Sequence, residues 1–203
     1  MRPMKDEIFD IQFKYNGKDH TVKVKTDLPT GPECFGCDYD IYVAGKHQYT
    51  INHCKNEDEV LCWEVKKRPK AGYDAGFAEA IGNSIDKYYA QQEIVNQVCK
   101  AIEQRRVIRF YYRNKFKKSE DWRIIDPYLL AKNQKGNTFV TGFFTPTLDQ
   151  LKQGKKSEQK LYLIEEIKEG TFKVLPQTFD KLKIDPARVY NTPTIEVICR
   201  VSF

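Results

Sequence analysis

The densest run of chemically capable side chains lies between residues 105 and 118. Arg105, Arg106, Arg109, Arg113, Lys115, Lys117 and Lys118 are interleaved there with Phe110, Tyr111, Tyr112 and Phe116. Successive residues of a strand point to opposite faces. Arg109, Tyr111 and Arg113 therefore share one face, and Phe110 and Tyr112 the other. A face of Arg-Tyr-Arg offers planar cations for phosphate and a ring on which a base can stack. Arg123 and Tyr128 extend that surface if their own strand lies alongside, and Lys160 adds a further cation. The competing reading is a half-exposed strand whose arginines lie over apolar neighbours with their heads in water. Lys152, Lys155 and Lys156, in a loop containing Gly and Gln, read first as solvated.

The cysteines are the next candidates. Cys34-Phe35-Gly36-Cys37 is a C-x2-C pair, and His53, Cys54 and Cys62 follow closely. Two thiolates at that spacing can share one zinc, with two of the later residues completing a tetrahedron. Cys54 and Cys62 stand in strand-like surroundings, where cysteine is commonly a small core hydrophobe. Buried thiols and no metal are the expectation. The first seven residues carry charges with no apolar stretch behind them, so no secretory signal is read. A cytoplasmic, reducing location is then expected, and disulfides are not.

Motifs of catalysis are missing. The chain has no P-loop, no G-x-G-x-x-G, no G-x-S-x-G and no H-E-x-x-H. His20, His47 and His53 all lie among N-terminal strands, where a surface or satisfied histidine is the ordinary reading. Glu165 and Glu166 are adjacent, so a strand would separate them rather than make a carboxylate dyad. No cofactor is called for, and the expectation is a non-enzymatic protein.

The chain has 203 residues, 40% of them hydrophobic and 13% aromatic. That is too apolar for a disordered chain, while no apolar run approaches the roughly 18 residues of a membrane helix. Charge is unevenly distributed. Residues 1–95 carry 13 basic and 16 acidic side chains, a net −3, whereas residues 96–203 carry 21 and 12, a net +9. The C-terminal half thus suits an anionic partner, or else presents a solvated basic face.

The elements that must position these groups can be read from periodicity. Residues 8–15 and 20–25 alternate apolar and polar around Asn16-Gly17, the strongest short hairpin signal. A loop at 27–32, a second hairpin at 40–51, a turn at 56–59 and a strand at 60–65 ending at 68–72 complete a meander. Asp74 suits an N-cap. Phe77, Ile81, Ile85 and Tyr88, then Ile94, Val95, Val98 and Ile102, fall at helical spacing. The half beyond turns β-rich, with strands at 107–112, 122–131, 138–144, 161–164, 171–175 and 194–203, and a short helix near 179–182. The expected fold class is α+β. An antiparallel sheet with a covering helix occupies residues 1–92, and a small β-barrel occupies 93–203.

The run Ala101-Ile102-Glu103-Gln104-Arg105-Arg106-Val107-Ile108-Arg109-Phe110-Tyr111-Tyr112-Arg113 resembles the opening of a WYL domain, where a helix ending in a basic pair feeds a basic-aromatic strand. Arg123-Ile124-Ile125-Asp126-Pro127-Tyr128-Leu129-Leu130 is similar to that family's second strand. Gly136 to Phe143 falls at its Trp-Tyr-Leu signature, Lys160 to Ile167 at its arginine-bearing strand, and Thr178-Phe179 at its closing Phe. The resemblance covers residues 96–180. It implies an Sm- or SH3-like barrel that senses a nucleotide-like or single-stranded nucleic-acid ligand, usually in bacterial transcription regulators or defence-linked proteins. Three departures stand out. The signature reads Thr138-Phe139-Val140, and the family's two arginines become Leu163 and Glu166, the latter opposing an anion. No helix-turn-helix precedes the domain.

Two functional expectations result. In the first, a regulatory or accessory protein binds a nucleotide or single-stranded nucleic acid through Arg109, Tyr111, Arg113, Arg123, Tyr128 and Lys160. In the second, the barrel has lost its ligand, as Leu163 and Glu166 suggest, and works through a protein partner or a second copy of itself. No membrane contact is expected in either.

Overall fold

The computed structural model describes residues 7–26, 37–55, 61–67, 74–179 and 196–201. The expected loop at 27–32, Cys34 of the C-x2-C pair, the turn at 56–59, the strand end at 68–72 and the short helix beyond Phe179 lie outside them. The fold is α+β, with two antiparallel sheets and one main helix. Its contacts divide the chain into two compact units, Met1–Ala90 and Gln91–Phe203.

The first unit is a meander of β1 (Glu7–Tyr15), β2 (Lys18–Thr26), β3 (Asp38–Val43), β4 (Lys46–Lys55) and β5 (Leu61–Lys67), paired in chain order. Asn16 and Gly17 both have positive φ, 48° and 76°. That is the primed turn whose twist matches the strands it joins. Pairing of Phe9 with Val24 and of Ile11 with Val22 puts these residues on the buried face. Tyr39, Ile41, Tyr49 and Ile51 continue that face, and Ile81, Ile85 and Tyr89 of helix α1 (Ala75–Glu103) cover it. Asp74 caps the helix, its Oδ1 accepting from the Phe77 amide at 3.1 Å. The indole of Trp63 lies against the helix backbone at Gly82, where a Cβ would come within 2.2 Å of the ring. Asp86, one turn on, accepts the Trp63 Nε1 proton at 3.0 Å and meets His53 Nε2 at 2.9 Å.

The second unit begins with the remainder of α1. Arg105, with φ 52°, turns the chain out of the helix into β6 (Arg106–Asn114). Next come β7 (Ser119–Lys132), β8 (Thr138–Phe144), α2 (Leu148–Lys152), β9 (Glu158–Leu163), one 3-10 turn (Ile164–Glu166), β10 (Lys173–Thr178) and β11 (Glu196–Arg200). The sheet order is β10-β6-β7-β8-β9, with β11 also on β7. The long β7 pairs with β6 through residues 119–125 and with β11 through residues 129–132. Its register shifts between Pro127 and Leu129, where Pro127 has no amide proton to donate. Val98, Ala101 and Ile102 of α1 pack with Ile108, Phe110, Ile125, Leu130, Val140 and Phe144 in one core. Among the described residues no pairing joins β10 to β9, so the strand path is open where a closed barrel was expected. An isolated bridge, Tyr112 to Ile167, lies beyond that path.

The cysteines depart from expectation. Cys54 and Cys62 face each other across β4 and β5 and form a disulfide, with Cα atoms 5.1 Å apart. Cys99 of α1 and Cys199 of β11 form another, at 5.7 Å. Both separations fall in the range a disulfide spans. Cys37 is also disulfide-bonded. The reason is tertiary: register and core packing bring together sulfurs that spacing alone does not relate. Cys54 and Cys62 therefore offer no thiolates to a metal, and His53 is held by Asp86. No helix among the described residues is long and apolar enough to cross a membrane.

Candidate functional site

On the β6–β7 ribbon Tyr111 stands opposite Trp122, and Arg109 opposite Ile124. On the other side of β6, Lys173 of β10 stands opposite Arg109. Directly opposed residues of an antiparallel pair point to the same face. Arg109, Tyr111, Trp122 and Lys173 therefore share one surface. The Arg109 guanidinium carbon lies 4.0 Å above the Trp122 ring, and Tyr111 meets that ring edge-on at 5.5 Å. Lys168 reaches to 5.7 Å over the Tyr111 ring. It is brought there by backbone bonds: its own amide donates to the Tyr111 carbonyl, and the Tyr111 amide donates to Thr171 Oγ1.

Among the described residues no carboxylate lies within ion-pair distance of Arg109, Lys168 or Lys173. Arg113, further along the same face, is paired with Glu120 at 3.3 Å. Two cations directly opposed across a ladder repel each other. An anion placed between them converts that repulsion into two charge-assisted bonds.

Beside this surface is a cavity of about 520 Å³. Arg109, Trp122 and Ile124 line it from the sheet, Leu175 and Gln177 from β10, and Thr147, Asp149, Gln150 and Gln153 from α2 and its caps. The short helix is held by a capping box: Gln150 Nα donates to Thr147 Oγ1, and Thr147 N donates to Gln150 Oε1 at 2.9 Å. Gln150 is only 5% exposed, and its Nε2 donates to Asp121 Oδ2 (2.8 Å) and to the Trp122 carbonyl (2.9 Å). Asp121 also binds the Lys155 ammonium and the Arg123 guanidinium. Burial alone would raise the Asp121 carboxyl. The bonds from Lys155, Gln150 and Arg123 outweigh burial and hold it at about 2. Asp121 thus anchors α2, Lys155 and β7 at one point.

The residues named from sequence do not all meet. Arg109 and Tyr111 lie on the surface just described, with Arg113 at its exposed end. Arg123 pairs with Phe110, so it points to the opposite face of the ribbon. It is 13% exposed there, bonded to Asp121 and 5.6 Å above the Phe144 ring. Lys160 shares that face, 2.9 Å from Glu158 and 5.0 Å from the same ring. Tyr128 is fully buried, edge-on to Phe179 at 5.0 Å. The strand of Arg123 is adjacent as expected, but the register places Trp122, not Arg123, beside Arg109.

Glu166 likewise does not oppose an anion on the Arg109 surface. It is 5% exposed and lies near the Tyr112 hydroxyl, whose pKa is raised first by burial and then by that carboxylate. Trp122, Lys168 and Lys173 were not among the residues read from sequence as binding. Alternation identifies the face of Trp122 only once its register with β6 is known. Lys168 and Lys173 join the surface only through the pairing of later segments with β6.

Residues 93–163 match the family model of the WYL domain. No curated protein matches the chain. Among solved structures it is similar to the proteasome accessory factor B/C (PafBC) of Arthrobacter aurescens, at 15% identity and a TM-score of 0.38. That match covers 69% of this chain and a quarter, 25%, of the other.

Proposed function

We propose that this chain, whose C-terminal unit carries a WYL domain, is a non-enzymatic regulatory or accessory protein that binds a nucleotide or single-stranded nucleic acid on the β6–β7–β10 surface. The observation that carries the reading is the pair Arg109 and Lys173, opposed across the ladder with no carboxylate in reach among the described residues, beside Trp122 and Tyr111. The indole beneath Arg109 restrains a side chain that would otherwise lose rotamer freedom on binding. Phosphate oxygens bind Arg109 and Lys173, Lys168 and Arg113 add longer-range attraction, and the exposed parts of Tyr111 and Trp122 supply stacking surface. In this reading Arg123, Tyr128 and Lys160 support the sheet from its other face. The bridge from Tyr112 to Ile167 and the pairing of β11 with β7 support reading the unit as a small, incompletely closed Sm- or SH3-like barrel.

Fluorescence anisotropy with labelled single-stranded DNA and RNA oligomers tests the reading. Binding is expected to be micromolar or tighter at low salt and to fall steeply towards physiological salt, as counterion release requires. Arg109→Ala combined with Lys173→Ala is expected to weaken it at least about tenfold, the size of one lost charge-assisted contact. No binding at low salt, or unchanged affinity in the double variant, overturns it.

A second reading has its own observation. Helix α2 exposes Leu148 (77%) and Leu151 (50%) to solvent. An apolar pair on a pinned helix suits a protein partner or a second copy of the chain. Sedimentation of the wild type against Leu148→Ser with Leu151→Ser distinguishes it, because apolar association does not weaken with salt as phosphate binding does.

A further inference from the structure

The cavity between α2 and β10 holds more information than its basic neighbours. We propose that it is a pocket for one nucleobase, so that the ligand is a single nucleotide unit with its base in the cavity and its phosphate at Arg109 and Lys173. This inference rests on the binding surface proposed above and specifies what that surface selects. The first argument is size. About 520 Å³ lies within the range of pockets that enclose one small organic ligand. The second is the character of the lining. Trp122, Ile124 and Leu175 offer half-buried apolar or aromatic surface suited to a ring.

The third argument is hydrogen bonding. Gln153, at the C-cap of α2, and Gln177, on β10, both line the cavity, and no bond to either side-chain amide occurs among the described residues. A carboxamide presents a donor and an acceptor side by side, as a base edge requires. Gln150, by contrast, has both ends of its amide engaged and serves as scaffold. The fourth is charge. Of the two carboxylates on the cavity, Asp121 is neutralised by Lys155 and Arg123. Asp149 is exposed and pairs with Lys152 at 3.7 Å through Oδ1, which leaves Oδ2 to accept from an exocyclic amine. Arg109 is the cation among the lining residues, Lys173 stands opposite it across the ladder, and Lys152 and Lys155 on the α2 side are paired with Asp149 and Asp121. That arrangement suits one phosphate beside one base.

The same chemistry is carried by a free mononucleotide and by the end of a strand, and the test separates them. Calorimetric titrations would compare inorganic phosphate, ribose 5-phosphate, adenosine monophosphate and a single-stranded DNA hexamer with and without a 5′-phosphate. Adenosine monophosphate is expected to bind at least about tenfold more tightly than ribose 5-phosphate, the worth of one or two satisfied hydrogen bonds with stacking. Gln153→Ala with Gln177→Ala is expected to erase that advantage while leaving phosphate affinity and melting temperature unchanged, since both residues are exposed. A hexamer that binds only when 5′-phosphorylated, with an advantage over ribose 5-phosphate that the same variant erases, supports the pocket and assigns it to strand ends. Salt-sensitive hexamer binding with no preference for adenosine monophosphate over ribose 5-phosphate and none for the 5′-phosphate overturns the pocket and leaves the surface intact. No binding by any of the five overturns both.

Discussion

The two sheets of this chain treat their polar side chains differently. In the N-terminal unit, several polar side chains, most of them half-buried or exposed, are paired with one another. Asp86 receives both Trp63 and His53, Asp40 receives Thr50 at 2.7 Å and meets His47 at 3.2 Å, and Lys23 faces Asp10 at 3.1 Å. In the C-terminal unit one face does the same around Asp121. The other leaves Arg109, Lys168 and Lys173 without a carboxylate in reach among the described residues. A satisfied polar network stabilises a fold and specifies its packing. Opposed, unneutralised cations do neither, and their presence is better explained by something that binds them. Substitutions in the first class should therefore move stability alone, and substitutions in the second should move binding alone.

The largest expected effect would sharpen that contrast at the covalent level. The Cys99–Cys199 disulfide joins residues 100 positions apart. A cross-link of that span stabilises by up to about 4–5 kcal/mol in the chain-entropy account. Cys199→Ala, or a dithiol reductant, should lower the urea midpoint of the C-terminal unit substantially. An unchanged midpoint in both would show that the bond carries no stability.

Next is the contact between Trp63 and the helix. Gly82→Ala places a methyl group inside the indole's van der Waals surface. Overpacking of this kind costs about 1–3 kcal/mol. It should lower the melting temperature of the N-terminal unit and shift Trp63 fluorescence, with oligonucleotide affinity unaltered. A change in affinity without a change in melting would break the division between the two sheets.

The smallest expected effect is at Asp121. Its folded carboxyl titrates at about 2, below the ordinary value near 4. A depressed carboxyl contributes stability that is complete above the unfolded value and is lost as pH falls from about 4 towards 2. Asp121→Asn should therefore flatten the acid limb of a melting-temperature profile between those values, relative to wild type. Parallel acid limbs would show that Lys155 and Arg123 do not depend on this carboxylate.

Much of this architecture was legible along the chain. Asn16-Gly17 announced the first hairpin, and the alternation from Ile8 to Tyr15 announced the strand before it. Asp74 capped a helix and the apolar spacing resumed through Ile102, although only the structure decided that the two stretches form one helix, and Thr138–Phe144 was bounded as the strand that forms. The basic-aromatic run from Arg105 and the Asp126-Pro127-Tyr128 step carried the WYL resemblance. These signals are local, because each depends on side-chain periodicity or turn conformation within a few residues.

What lay beyond the sequence was parity and partnership between strands. A one-residue difference in register reverses every side chain of a strand. Nothing within residues 119–132 says whether Trp122 or Arg123 stands beside Arg109; the pairing of Tyr111 with Trp122 decides it. The sulfurs of Cys99 and Cys199 meet only because β11 lies on β7 and α1 packs into the same core. Lys173 becomes the neighbour of Arg109 through a pairing 64 residues away in sequence. The sequence by itself determined most of the strands, the helical stretches of α1 and where positive charge accumulates, since those follow from local conformational preference and composition, though not the short helix α2. Only the tertiary structure decided which cations share a face and which are neutralised, since that depends on non-local hydrogen-bond register.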